Sequence, residues 1–400
     1  MVCLVELWLQ ELARGALKVF VNPLFYWIFI LVVLAGYQRI KNERQQFGVK
    51  VFDLFSEWKY TWFPAILTGL ILSIIFAGVG LVYSYGTIIV LSVMMIILSI
   101  HLRFTLLSPS YTIGLTYIVL LFAPVIIKNQ NYIPESYFTD INYLGLALLL
   151  GVMLIVEAFF IRRVKRDETF PRLLKSERGI WIGEHQIKKL TMIPLIFLVP
   201  GGVIESFAPY WPLISINDTT YGLVLFPFLL GFSHRVRASI APLAAKHLSK
   251  KILLLGILVL AISVTGYYLK GLSLLALLIA LFGREFITYR FRTQEKQKNA
   301  FFKPEEVGLR VIGIIPGTPA ERLDIQVGEV VYKVNDKRIY SSDGFYEALQ
   351  TSGAYFKLDI LDDNGEVRFV QSAFYETDHY RLGLLFVEKP HRTKQAVNEG

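Results

Sequence analysis

Long apolar blocks fill the first 287 residues and restrict this part of the chain to one kind of environment. A helix needs about 20 mostly apolar residues to cross the roughly 30 Å hydrocarbon core of a bilayer. Between seven and nine blocks approach that length, and we favour nine. Residues 1–287 are therefore predicted to be a polytopic α-helical membrane domain, with spans at Leu17–Tyr37, Trp62–Val82, Thr87–Leu102, Tyr111–Ile127, Tyr143–Ile161, Leu190–Ala208, Tyr221–Phe232, Ile252–Leu269 and Leu272–Ile287.

The positive charges alternate along the chain between successive loops. Loops 38–61, 162–189 and 233–251 are rich in Lys and Arg, whereas 83–86, 128–142 and 209–220 hold only Lys128 between them. Cytoplasmic loops carry such an excess, so the net charge of +9 indicates membrane topology and not nucleic-acid binding. Nine spans place the N-terminus outside and the C-terminus in the cytoplasm. An alternative for the first 16 residues is an interfacial amphipathic helix.

The sequence lacks the common catalytic constellations, so we expect no enzyme activity, cofactor or metal. None of the six histidines belongs to a His-Glu-x-x-His pattern, which a membrane metalloprotease needs. The nearest approach to an intramembrane serine protease is Gly231-Phe232-Ser233, followed by His234. Glu157 is the deepest ionisable group in the predicted spans, and we expect it to pair with Arg162 or Arg163.

A basic linker at 288–304 leads into a soluble α+β domain at 305–390, and a flexible tail is predicted at 391–400. Short alternating strands replace the apolar blocks there. Thr318 and Glu321 have the spacing of a capping box on a short helix, and Ser342 is the expected cap of a second helix. An Asn-Gly turn joins strands Tyr355–Leu361 and Val367–Phe374. A final strand is predicted at Tyr380–Val387.

This order of elements resembles a bacterial PDZ domain. The resemblance rests on Pro316-Gly-Thr-Pro-Ala-Glu321, Gly328-Glu329-Val330-Val331 and Val334-Asn335. Leu323-Asp324-Ile325 departs from the usual Ala-Gly-hydrophobic, although Asp tolerates the left-handed backbone that this position needs. The carboxylate-binding loop is missing before the first strand, and Leu382-Gly383-Leu384 offers it at the end. The module therefore resembles a circularly permuted PDZ domain.

PDZ domains bind peptides by adding a strand to a sheet edge, beside a helix. The resemblance implies that the last strand presents this edge and that the second helix forms the opposite wall. The alternative is that the wall residues are ordinary core and that the last strand only closes the sheet. The implied groove residues are Leu382, Gly383, Leu384, Leu385 and Phe386 on the strand, with Phe345 and Leu349 on the helix.

The chain as a whole resembles the MinJ family of cell-division topological determinants from Bacillus-type bacteria. The similar stretches are Val21–Trp27, Leu107–Tyr111 and Arg368–Gln371, besides the order of domains. The resemblance implies a plasma-membrane adaptor at septa and poles that links DivIVA to MinD, and thereby to MinC, and so prevents aberrant FtsZ rings. The alternative functions are a membrane transporter and a regulatory subunit of a membrane protease that recognises substrates through its PDZ domain.

Overall fold

The computed structural model describes residues 2–127, 137–138, 140–206, 211–213, 220–269, 271–351, 355–373 and 382–391. Most of the predicted tail, with part of the predicted last strand, lies outside these residues. The N-terminal part contains α1 (Val2–Leu17), α2 (Pro23–Phe47), α3 (Trp62–Val79), α4 (Tyr85–Ser99), α5 (Pro109–Ile127), α6 (Tyr143–Arg162), β1 (Phe170–Lys175), β2 (Trp181–Glu205), β3 (Thr220–Val236), α7 (Ala241–Thr265) and α8 (Leu272–Gln297). The C-terminal module contains β4 (Leu309–Ile314), α9 (Pro319–Arg322), β5 (Val330–Val334), β6 (Lys337–Arg338), α10 (Ser342–Gln350), β7 (Tyr355–Leu361), β8 (Val367–Ala373) and β9 (Leu384–Phe386).

Apolar helices form most of the N-terminal part. Within the described ranges, α2, α3, α6, α7 and α8 are long and apolar enough to cross a membrane, and α4 and α5 contribute shorter apolar stretches. The first long helix begins at Pro23, later than the predicted Leu17, because the Asn22 side chain accepts a hydrogen bond from the Leu24 amide at 3.0 Å and caps it there. Residues 2–17 form the separate helix α1, and an interfacial position for this helix stays a prediction.

The prediction of helices at Leu190–Ala208 and Tyr221–Phe232 is wrong. These residues, as far as the structure describes them, lie in the antiparallel hairpin of β2 and β3. Length alone favours a helix for apolar runs of this size, so hydropathy pointed to the wrong element here. Pro194 and Pro227, which face each other in the hairpin register, are the local signal against helices, because proline lacks the N–H that a helix interior requires.

Helices and their connecting segments cover the edges of this hairpin. The Ile196 amide donates to Ser73 Oγ of α3 at 2.8 Å, and the Tyr83 amide donates to the Leu198 carbonyl at 2.8 Å. On the other side, Thr105 Oγ1 donates to the Ser233 carbonyl at 2.9 Å. An apolar environment offers backbone groups no water to bind. The hairpin is compatible with such a setting because its neighbours supply these hydrogen bonds.

Glu157 pairs with Arg284 of α8, and the prediction of a partner at Arg162 or Arg163 is wrong. Arg284 Nη2 lies 2.7 Å from Glu157 Oε1, and both side chains are fully buried. Residues five and six positions apart do not share a helix face, whereas residues three and four apart do. Arg162 and Arg163 are accordingly exposed.

The C-terminal module contains one six-stranded sheet with the path β8-β7-β5-β4-β9, from which β6 pairs with β5. Helices α9 and α10 pack against this sheet. Phe345 of α10 lies in one buried core with Val311, Val334 and Phe356. Helices α9 and α10 and strands β7 and β8 lie close to their predicted positions. The last strand is shorter than predicted and covers Leu384–Phe386 within the residues that the structure describes.

The predicted helix caps need correction, whereas the predicted turn geometry is confirmed. Thr318 and Glu321 form no capping box: the Thr318 hydroxyl donates to the Ile315 carbonyl at 2.6 Å, and Glu321 accepts from the Gly317 amide at 2.7 Å. The cap of α10 is Ser341, one residue before the predicted Ser342. Asp324 has the expected left-handed backbone, with φ +53°.

Candidate functional site

The structure brings the predicted groove residues together where β9 meets α10. The rings of Phe345 and Phe386 lie edge to face with centroids 5.2 Å apart. All the predicted side chains are buried, with exposed fractions between 0% for Phe345 and Leu382 and 8% for Leu385. Phe345, Leu349, Leu382, Leu384 and Phe386 share the core cluster of the module. A groove along this strand stays a prediction.

Tyr346 makes a contact at this strand that the sequence reasoning missed. Its hydroxyl donates to the Leu384 carbonyl at 3.3 Å, so a helix side chain already engages a backbone acceptor of β9. Strand addition uses backbone acceptors of this kind. The only sequence signal was the aromatic pair at 345–346, whose second member lies next to the buried face of α10.

Gly383 adjusts the backbone just before β9. Its φ is +92°, and a Cβ at this position would lie 2.0 Å from Thr318 Oγ1. The Gly383 carbonyl accepts from the Ile315 amide at 2.9 Å, and the Leu382 carbonyl accepts from the Ala320 amide at 3.0 Å. Only glycine combines this dihedral with so close an approach. The predicted carboxylate loop is thus fixed against the turn that precedes α9.

The opposite face of β4 and β9 packs against the N-terminal part of the chain. Leu385 and Ile312 point away from the core of the module into a second apolar cluster. We call this cluster the docking surface; it contains Val51, Phe52, Phe170, Leu173, Phe302, Ile312, Val327 and Leu385. The strand proposed to bind peptides is therefore held between the core of the module and the membrane-type domain.

Polar contacts surround the docking surface and fix the position of the module. The Gly183 amide donates to the Phe302 carbonyl at 2.7 Å, and the Phe301 amide donates to the Arg237 carbonyl at 2.9 Å. Arg166 forms an ion pair with Asp363 in the β7–β8 turn. The backbone hydrogen bonds thus hold the linker that leads into the module, and the ion pair and the apolar packing hold the module itself.

A buried cluster of charged side chains contacts the docking surface on the side of the N-terminal part. Arg39 of α2 donates to Glu57 at 3.0 Å and to Glu43 at 2.6 Å, and its guanidinium carbon lies 4.6 Å from the centroid of the Phe170 ring. Glu43 accepts from the backbone amides of Val51 and Phe52 at 2.8 and 3.2 Å. The cluster therefore sets the path of the segment that carries Val51 and Phe52.

His185 lies at the same junction, on the part of β2 that pairs with β1 outside the predicted spans. Its Nδ1 is 2.8 Å from Thr169 Oγ1, and its ring centroid is 4.7 Å from that of Phe302. Burial lowers the pKa of His185 from 6.5 to about 4, although the backbone of Ile312 opposes the shift. The histidine is therefore neutral while the module is docked.

Acid is expected to weaken docking through His185. Between pH 6.5 and about 4 the exposed imidazole binds a proton that the buried imidazole does not, so docking free energy falls with pH in this window. The loss approaches about 3 kcal/mol at its lower end. It can be measured by energy transfer between dyes at exposed positions Glu177 and Asp336, in a variant whose single native cysteine is replaced. His185→Gln, which does not titrate, should show a flatter pH profile; identical profiles would contradict this account.

Ser233 and His234 do not form a nucleophile and base. They are consecutive residues of β3, so their side chains point to opposite faces of the sheet. Ser233 Oγ accepts from Gln186 Nε2 at 3.0 Å, whereas His234 Nε2 is 3.5 Å from Arg284 Nη2. Among the residues that the structure describes, no group of three or more His, Cys, Asp or Glu side chains is arranged to hold a metal ion.

These features define a class of protein, in which a domain of apolar, membrane-type helices carries a docked, strand-rich C-terminal module. No known protein-family profile matches the chain. The cell division topological determinant MinJ of Bacillus subtilis (strain 168) is 33% identical to it over 397 residues, which cover 98% of this chain and 99% of that protein. A probable MinJ of Lacticaseibacillus paracasei is 22% identical over 60% of this chain and 65% of its own length. The chain belongs to the MinJ family.

Proposed function

We propose that this protein is a non-enzymatic membrane adaptor in the selection of the division site. It links DivIVA at poles and septa to MinD, and through MinD to MinC, so that aberrant FtsZ rings do not assemble. The observation that carries this proposal is the similarity to the Bacillus subtilis topological determinant along almost the entire chain. The docked module supports it, because an adaptor needs a recognition surface held close to its anchor.

The C-terminal module is proposed to act as a circularly permuted PDZ domain on the cytoplasmic side. Its sheet ends at β9, and α10 lies beside this edge, which is the arrangement that strand addition uses. A partner segment would pair with the backbone of Leu384–Phe386, next to Phe345 and Leu349. Cytoplasmic sidedness is supported by the basic residues of 38–61, 162–189 and 233–251.

The membrane domain contributes by confining the adaptor. Apolar helices compatible with insertion restrict diffusion to two dimensions, which raises the effective concentration of weakly bound partners. The proposal assigns one partner to the groove of the module and the other to the membrane domain or its basic loops. Neither assignment requires catalysis or a cofactor.

Removing the module tests whether the two partners bind different parts of the chain. A chain that ends at residue 304 should still reach the membrane and should lose one of the two partners, DivIVA or MinD, while it keeps the other. Fluorescent fusions of both partners, imaged in cells that contain either chain, provide the measurement. Normal recruitment of both partners by the shortened chain would contradict the proposal, as would normal division in cells that lack the protein altogether.

Tyr346→Phe is expected to strengthen groove binding. The change removes the hydroxyl that donates to the Leu384 carbonyl, so an incoming strand no longer competes for this acceptor. A net hydrogen bond of about 1 kcal/mol corresponds to an approximately fivefold lower Kd. Titration of the full chain in detergent with the purified partner that depends on the module measures the effect. Tyr340→Phe, at an exposed position outside α10, is the control and should leave Kd unchanged. Weaker or equal binding by the Tyr346 variant would argue against strand addition at β9.

A further inference from the structure

A cavity of about 620 Å³ opens at the end of α2 where the C-terminal segment returns to the membrane domain. Successive turns of α2 form one wall, and the segment that follows β9 forms the other. Its main lining residues are Tyr37, Ile40, Lys41, Arg44, Gly48 and His391.

The cavity continues an apolar stripe on the outer surface of α2. The exposed side chains of this stripe are Tyr26, Phe29, Ile30, Val33, Leu34 and Tyr37, with exposed fractions between 41% and 66%. At 1.5 Å per residue, Lys41 lies about 27 Å along the axis from Pro23. This distance is close to the roughly 30 Å depth of the hydrocarbon core. Lys41 and Arg44 therefore lie at the level of lipid headgroups when α2 crosses a bilayer.

The cavity carries two positively charged side chains that can contact an anionic ligand. Lys41 and Arg44 are exposed and lie on one face of α2, and among the described residues neither has an ion-pair partner. Lys50, which follows the end of α2, is by contrast paired with Asp53 at 2.7 Å. A phosphate bound here would meet two cationic side chains and the His391 ring, directly next to an apolar surface suited to an acyl chain.

We propose that this cavity binds an anionic phospholipid of the inner leaflet. The phosphate lies between Lys41 and Arg44, and one acyl chain follows Tyr37, Leu34 and Val33 along α2. Charge complementarity supports an anionic lipid, and the continuity of the cavity with the apolar stripe supports a lipid over a soluble phosphate compound.

The bound lipid also restrains the C-terminal module. The His391 amide donates to the Gln46 carbonyl at 3.0 Å, and the His391 ring lies 3.1 Å from the place of a Cβ at Gly48. Gly48 has φ +76°, so this close contact is built into the end of α2. A headgroup in contact with His391 therefore holds the segment after β9 against the membrane domain.

Lipid retention in the full-length chain tests the site. Nanodiscs that contain phosphatidylcholine and phosphatidylglycerol are prepared with the wild type, with Lys41→Gln/Arg44→Gln and with the control Lys246→Gln/Lys250→Gln, which removes two exposed bases from α7. Native mass spectrometry then measures the retained lipid. Each lost charge should weaken phosphatidylglycerol binding about fivefold, so that the α2 double variant is weakened about 25-fold. The α7 control should retain the lipid as the wild type does.

Three outcomes would overturn the proposal. The first is equal retention of phosphatidylglycerol by the wild type and the α2 variant, and the second is an equal loss in the α7 control. The third is displacement of the lipid by glycerol 3-phosphate, which would identify a site for a free phosphate compound. Thermal unfolding in pure phosphatidylcholine checks the fold of each variant. If the double variant unfolds early, the single variants Lys41→Gln and Arg44→Gln carry the test, with about fivefold losses each.

Discussion

Arg284→Met is expected to destabilise the membrane domain by about 3–5 kcal/mol, because it leaves a buried carboxylate without its counter-charge. Arg284 Nη2 is 2.7 Å from Glu157 Oε1, and both side chains are fully buried. Its other nitrogens donate to Thr288 Oγ1 at 2.6 Å and to Ser108 Oγ at 3.2 Å. Ser108 in turn donates to Glu157 Oε2 at 2.6 Å. The network joins α6, α8 and the start of α5, so its loss loosens all three helices. Thermal unfolding of the full chain in detergent measures the change.

The double variant Arg284→Met/Glu157→Leu separates the cost of an unpaired charge from the value of the ion pair. Replacing both members of a buried pair by apolar residues is often neutral or stabilising. The double variant should therefore recover most of the stability that Arg284→Met loses. Arg162→Met is the matched control, since Arg162 lies on the same helix as Glu157 but is exposed, and it should change little. A double variant no more stable than the single one would show that shape, and not charge, dominates at this position.

The sequence predicted helices well where a continuous apolar run of spanning length was itself helical. Helices α3, α6 and α8 and the strands of the C-terminal module follow patterns that are local in the chain. The β2–β3 hairpin could not be predicted in the same way, because its strands are apolar on both faces and depend on distant partners. Ser73 and Tyr83, which satisfy its backbone, lie more than 100 residues away along the chain. Such hydrogen bonds leave no mark in hydropathy.

In the candidate site, too, the sequence predicted contacts within one module but did not predict contacts between distant parts of the chain. The predicted residues of β9 and α10 do lie together, because the motif that identifies them is short and its elements pack within one module. The docking surface was not predicted, since it joins Phe52, Phe170 and Leu385 from three remote parts of the chain. From the sequence, the apolar run Leu384, Leu385 and Phe386 could be interpreted only as part of the core of the module. The structure shows that Leu385 faces the other domain.

The docking surface depends on Arg39, so Arg39→Met is expected to cost about 3–5 kcal/mol. The variant leaves Glu57 and Glu43, which are 0% and 2% exposed, without their shared counter-charge. Arg39 also donates to the carbonyls of Phe52 and Asp53, so the loop below the module loses its anchor. We expect Phe52 to shift and the docked fraction of the module to fall. Energy transfer between dyes at Glu177 and Asp336 reports docking, and thermal unfolding reports overall stability.

Arg39→Lys separates the effect of the charge from the effect of the guanidinium geometry. It keeps the positive charge and removes the planar guanidinium group. One ammonium cannot contact two carboxylates, two carbonyls and the Phe170 ring in the way that the guanidinium does. The lysine variant should therefore still lose about 2 kcal/mol. Lys50→Met, which breaks an exposed pair with Asp53, should change stability by less than about 1 kcal/mol. If Arg39→Met lowers overall stability while energy transfer stays at the wild-type level, the charge cluster supports α2 alone. Docking would then depend on the apolar contacts of Phe170 and Leu385 and on the backbone hydrogen bonds around them.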